Sequence, residues 1–151
     1  MMRSNKSGTI LLIVIIILGV LLALIPTIIL PVCDGNLELV SGKLVPMKCF
    51  WMSRAQIAMG IVVVGAGVTA LFTTALQSRL TAAFFVIISG IVSILVATTL
   101  IGVCANETMA CHTGSLPGVI VVDILIILVA VILAATSAAS MKREKEFMKL
   151  M

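Results

Sequence analysis

The side chains of this chain that could do chemistry are gathered in two short stretches. Pro31 to Gln56 holds Cys33 and Cys49, and Cys104 to Leu116 holds Cys104 and Cys111. The only tryptophan, Trp51, and the only histidine, His112, lie in the same stretches. Oxidised in pairs, the four cysteines are staples. If one pair cycles, the chemistry is thiol-disulfide exchange, which needs an accessible thiolate, commonly in a Cys-x-x-Cys motif or at a helix N-terminus. The chain has no Cys-x-x-Cys, although Lys48 and Arg54 stand near Cys49 and favour its thiolate. Reduced, Cys49 and Cys111 join Met47, Met52, Met109 and His112 in a set of thiolate, thioether and imidazole donors that suits Cu(I). With the cysteines oxidised, only the methionines and the histidine remain for a metal. The methionines also read as apolar packing at a membrane interface, and His112 as a hydrogen-bonded loop residue.

A second kind of chemistry rests on Asp123, the one ionisable residue inside an apolar run. It lies about six residues into that run, some 9 Å below its end at about 1.5 Å per residue. An acid at such depth costs on the order of 2.5–3.5 kcal/mol on insertion scales, so it turns inward or to a partner. Arg54, Gln56, Thr98 and Thr99 are the candidate partners. A buried polar clamp, a proton or cation relay and a contact with another membrane subunit all fit.

The elements that must position these groups follow from composition. Hydrophobic residues make up 62% and charged residues 11% of the chain, and the mean hydropathy is +1.33. That excludes a soluble enzyme. Four apolar runs of about 20 residues or more each suffice to cross a bilayer: about 9–30, 57–76, 80–103 and 117–140. They leave 31–56 and 104–116 as outer segments. The first run follows Arg3 and Lys6 as a signal peptide would, but it ends in Leu30-Pro31 without small residues at a cleavage position.

Basic residues sort by side. Arg3, Lys6, Arg79 in a Gln77-Ser78-Arg79 turn, Lys142, Arg143, Lys145 and Lys149 fall on one side, against Lys43, Lys48 and Arg54 on the other. The positive-inside rule then puts both termini in the cytoplasm and all four cysteines outside, where disulfides persist. The net charge of +4 is explained by this topology and by attraction of the basic tail to anionic lipid, so no nucleic acid is implied.

The chain also reads as two hairpins of one kind. Each outer segment opens with a cysteine and closes with Met-x-Cys: Cys33 with Met47-Lys48-Cys49, and Cys104 with Met109-Ala110-Cys111. A duplication would relate the hairpins by an axis along the membrane normal. In the first outer segment, Asn36 to Leu39 and Lys43 to Val45 flank Val40-Ser41-Gly42, a hairpin loop whose last residue suits the left-handed conformation. That register sets Leu39 opposite Lys43 and, counted outward, Cys33 opposite Cys49, within disulfide reach. A local Cys104–Cys111 bridge completes a within-loop pattern. Four cysteines allow three pairings, and cross-loop bridging remains open.

Pro31-Val32-Cys33, Met47 to Trp51, Leu100 to Cys104, Met109 to His112 and Leu116-Pro117 resemble a bacterial four-helix membrane family known as Domain of Unknown Function 4418. The resemblance runs from the first span to the fourth. It implies a compact four-helix inner-membrane protein with paired outer cysteines, and it implies no activity. Members often carry His after the second cysteine, where this chain has Phe50. That departure weakens a metal site in the first outer segment.

The expected architecture is therefore an all-α integral membrane domain over 1–151, with four transmembrane helices and a small disulfide-linked cap containing a β-hairpin. Small residues in the second helix (Gly60, Gly65, Ala66, Gly67) and fourth (Ala134, Ala135, Ala138, Ala139) permit close helix approach. The expected function is a non-enzymatic accessory or structural subunit that associates with other membrane proteins, such as a transporter, or with its own copies. Quinone-linked thiol-disulfide exchange, with Cys33, Cys49, Cys104 and Cys111 as its redox residues, is the enzymatic alternative. Copper binding or a small carrier is the third.

Overall fold

The structure, a computed structural model, describes residues 6–32, 36–38, 41–73, 75–104, 109 and 111–150. Helix α1 (Lys6–Leu24) runs into a wide π-type turn (Ile25–Ile29). Helix α2 spans Lys48–Phe72. Helix α3 (Leu76–Leu95) ends in a second π-type turn (Val96–Leu100). A third (Cys111–Ser115) opens directly into α4 (Leu116–Leu150). All four helical segments are long and apolar enough to cross a membrane, which makes this a multi-pass membrane protein.

Two boundaries differ from the apolar runs, each for a physical reason. Helix α2 begins at Lys48, not near Ile57. Nothing between Pro46 and Ile57 breaks a helix, and Cys49, Met52, Ser53 and Gln56 recur at helical spacing on the buried side. Hydropathy alone hides these turns because the opposite face is polar. Helix α3 begins at Leu76, so Arg79 does not sit in a turn; it lies in the first turns of α3 and is 7% exposed. Its Nη2 donates to Thr9 Oγ1 at 3.5 Å, and the guanidinium lies against the Cα of Gly8, where a Cβ would meet Nη1 at 2.6 Å.

Buried positions recur with alternating spacings of four and three: Gly8, Leu12, Ile15, Gly19 and Leu22 in α1, and Gln56, Gly60, Val63, Gly67 and Ala70 in α2. This is the seam of a left-handed bundle. Each helix packs mainly on two others: α1 on α2, α2 on α3, α3 on α4, and α4 back on α1. The apolar core runs along the middle of that ring.

The two halves superimpose in sequence number. Leu12, Ile15, Gly19 and Ile25 are buried, and so are Ala83, Val86, Gly90 and Val96, each 71 residues later. The first two π-type turns obey the same offset, closing through Leu30 N–H to Ile25 O at 2.8 Å and Ile101 N–H to Val96 O at 3.1 Å. Between α2 and α4 the offset is 63: Gly60, Val63, Gly67 and Ala70 correspond to Asp123, Ile126, Ala130 and Leu133. The cysteines Cys49 and Cys111 are 62 apart. The second half thus has one extra residue between its cysteine and its core, and the π-type turn at Cys111–Ser115 absorbs it, as one wide turn does.

Strands β1 (Asn36–Glu38) and β2 (Leu44–Pro46) pair antiparallel, Asn36 with Pro46, Leu37 with Val45 and Glu38 with Leu44. Gly42 takes φ +75° in the connection. The ladder ends at Pro46 and α2 begins at Lys48, so strand counting does not extend to Cys49, which is helical. The expected Cys33–Cys49 bridge involves Cys33, which lies outside the described residues.

Candidate functional site

Three segments deliver cysteines to one end of the bundle. Cys49 sits in the first turn of α2, Cys104 follows the turn closed at Gly102, and Cys111 opens the π-type turn leading into α4. Gly102 has φ +69°, which brings the chain sharply back after α3. The Sγ of Cys49 lies 2.9 Å from the Sγ of Cys104 and 2.9 Å from that of Cys111, and all three sulfurs fall within 4.8 Å of one another. The amide N–H of Cys104 donates to Cys49 Sγ at 3.4 Å. None of these sulfur pairs is at disulfide bond distance.

The within-loop pairing is not shown among the described residues. Cys104 and Cys111 are not joined to each other; the sulfur between them is Cys49, from the other hairpin. Spacing in sequence favoured the local pair, because Cys104 and Cys111 are only seven residues apart. The bundle overrides that proximity by bringing the starts of α2 and α4 to the same end.

The surroundings are apolar. Cys49, Cys111 and Met52 are fully buried beside the buried Val32, and Ile101, Val103 and Met109 pack around them, while Cys104 is half-buried. Of the soft donors expected from sequence, Met52 and Met109 therefore join the thiols in one cluster. Met47 and His112 do not. Met47 is the half-buried residue that precedes α2, and His112 donates its backbone N–H to Met109 O at 2.9 Å and is not among the grouped ligand atoms.

Below the sulfurs lies a second polar site. Gln56 is seven residues along α2 from Cys49, two helical turns or about 10 Å deeper at 1.5 Å per residue. Its Nε2 donates to the backbone carbonyl of Ser93 at 3.1 Å. Ser93 Oγ lies 2.7 Å from Gln56 Oε1 and 2.6 Å from Asp123 Oδ2. All three residues are fully buried, and Asp123 Oδ1 has no hydrogen-bond partner among the described residues. Gln56 thus meets Asp123 through Ser93, a residue the sequence reading did not single out. Arg54 is not a partner: its guanidinium lies 5.1 Å from the centre of the Phe50 ring on the exposed side. Thr98 and Thr99 bond back to Ile94 O and Leu95 O of their own helix.

A signal for Ser93 was present in the repeat. The 71-residue offset pairs Ser93 with Leu22, and the 63-residue offset pairs Gln56 with Val119 and Asp123 with Gly60. The polar cluster lies at three of the positions where the two halves differ.

Beside Cys49, a groove of about 170 Å³ opens between the end of α1 and the start of α2, lined by Thr27, Pro31, Val32, Phe50, Ser53, Arg54 and Ile57. No curated protein and no solved structure matches the chain. A family model does, over residues 15–136, from within α1 to within α4 and across both outer segments. The chain belongs to the family described as Domain of unknown function (DUF4418).

Proposed function

We propose that this protein is a non-enzymatic subunit of the bacterial plasma membrane that holds one soft metal ion, Cu(I), between Cys49, Cys104 and Cys111, in company with other membrane proteins such as a transporter. The observation that carries the reading is the convergence of three thiols from three segments within 4.8 Å. A structural disulfide uses two sulfurs. Three sulfurs lined with the thioether-bearing Met52 and Met109 match the preference of Cu(I) for soft donors. A bound cation offsets the cost of burying negatively charged thiolates. The amide of Cys104 aimed at Cys49 Sγ is the kind of outer hydrogen bond that orients a metal-bound sulfur. The clustering of seven of the ten basic residues toward the other ends of the helices supports an outward-facing thiol end.

The test is Cu(I) binding by the reduced, purified protein in competition with a chromophoric Cu(I) chelator. One Cu(I) per chain is expected, lost in Cys49→Ser while the helical circular dichroism is kept. A wild-type protein that retains no Cu(I) sinks the reading.

Thiol-disulfide exchange is the second reading, favoured by the position of Cys49 at 2.9 Å from two other sulfurs. In that chemistry two thiols give two protons and two electrons to a quinone, leaving a disulfide and the quinol. The adjoining groove, at about 170 Å³, is smaller than the roughly 300–1,000 Å³ of typical cofactor pockets. Thiol trapping under mild reductant distinguishes the two: exchange predicts one pair that cycles with the quinone pool, metal binding predicts thiols protected by Cu(I).

A further inference from the structure

We infer that Asp123 is a proton-binding site, present as the neutral carboxylic acid that donates to Ser93 and thereby ties α4 to α3 and α2 inside the bundle. The inference rests on counting hydrogens, independently of the thiol site.

The Gln56 amide has only one workable orientation. Its atom 3.1 Å from the Ser93 carbonyl must be the nitrogen, because a carbonyl oxygen only accepts and two oxygens there would repel. The other amide atom, Oε1, is therefore an acceptor, and it lies 2.7 Å from Ser93 Oγ. The serine hydroxyl has one hydrogen, and Gln56 Oε1 takes it. Asp123 Oδ2 lies 2.6 Å from the same Ser93 Oγ. The hydrogen in that second short contact has to come from Asp123. The chain of donation runs from Asp123 Oδ2–H to Ser93 Oγ and from Ser93 Oγ–H to Gln56 Oε1, while Gln56 Nε2–H reaches the Ser93 carbonyl.

The ionised alternative fails the count. A carboxylate would claim the Ser93 hydrogen and leave Gln56 Oε1 facing a serine lone pair at 2.7 Å. Asp123 Oδ1, already without a partner, would carry half a negative charge at full burial. No cation is placed to offset it among the described residues. Arg54 on α2 is exposed over Phe50. Arg79 on α3 is 14 residues from Ser93, about 21 Å at 1.5 Å per residue. The only ionisable residue of α1 is Lys6, at its far end, and the basic residues of α4 begin at Lys142. Cys49, two turns away on α2, carries no positive charge. In the acid form the bare Oδ1 is a carbonyl oxygen, an orphan acceptor that is tolerated more readily than an orphan donor.

Infrared spectroscopy of the full-length protein in lipid vesicles at neutral pH tests this, using aspartate labelled with ¹³C at the side-chain carboxyl. The chain has only two aspartates, Asp34 and Asp123. The expected result is a carboxylic acid C=O band above the amide region that shifts with the label, persists in Asp34→Asn, and moves when Ser93→Ala removes its acceptor. A rescue experiment reads the same proton: Asp123→Asn, which keeps one N–H to donate to Ser93 and adds a second without a partner, lowers the melting temperature less than Asp123→Leu does. A labelled protein showing only carboxylate bands, with no acid band in Asp34→Asn, overturns the inference whether or not any Asp123 variant folds.

Discussion

Three residue differences between the hairpins create the polar site in the middle of the bundle: Gln56 against Val119, Ser93 against Leu22 and Asp123 against Gly60. Asp123 was legible from the sequence as the lone acid in a span, and Gln56 as a candidate partner. Ser93 was not, because a serine in an apolar helix reads as a tolerated small residue until the halves are aligned by their buried positions. The network makes a sharp prediction for it. Ser93→Ala strips one hydrogen bond from each neighbour and leaves Gln56 Oε1 and Asp123 without their shared partner, so it costs about 1–3 kcal/mol, the usual price of a buried unsatisfied polar group. Thr98→Ala and Thr99→Ala remove only bonds to their own helix on the exposed side and stay within about 0.5 kcal/mol. Reversible unfolding in mixed micelles measures all three, and equal losses at Ser93 and Thr98 would contradict the shared network.

At the scale of elements, close helix contact depends on which small residue is concerned. A Cβ on Gly60 would meet the Gly19 carbonyl at 2.7 Å and Ala23 Cβ at 2.9 Å, whereas one on Gly65 would meet nothing within 4 Å. Gly60→Ala therefore pushes α1 off α2 and costs about 1–3 kcal/mol as overpacking. Gly65→Ala is neutral or gains up to about 1 kcal/mol in helix propensity. Opposite signs for two glycines five residues apart on one helix are the check, and a loss at both would mean the α1–α2 contact lies elsewhere. The number of spans and the hairpin repeat were readable from apolar runs and the Met-x-Cys pairs. The start of α2 was not, since hydropathy averages over a helix whose buried side carries Cys49, Met52 and Gln56 and whose outer side carries Lys48 and Arg54. The meeting of Cys49 with Cys104 and Cys111 was equally hidden, because it depends on helix ends converging and not on spacing along the chain.

At the scale of the whole molecule, bundle and charge distribution divide the labour: one end gathers thiols, the middle holds the buried acid Asp123, and α4 carries four of the ten basic residues toward the other end. The proposed orientation predicts that a green fluorescent protein fused after Met151 is fluorescent and an alkaline phosphatase fused there is inactive; the reverse pattern would turn the thiol end inward. The account as a whole stands on the thiols of both hairpins forming one site. X-ray absorption at the copper edge of the Cu(I)-loaded, reduced protein in vesicles measures that directly. The predicted spectrum is a single copper held by three sulfurs, reduced to fewer sulfurs in Cys104→Ser as well as in Cys49→Ser. A copper shell dominated by nitrogen or oxygen, or one unchanged by either substitution, would contradict it.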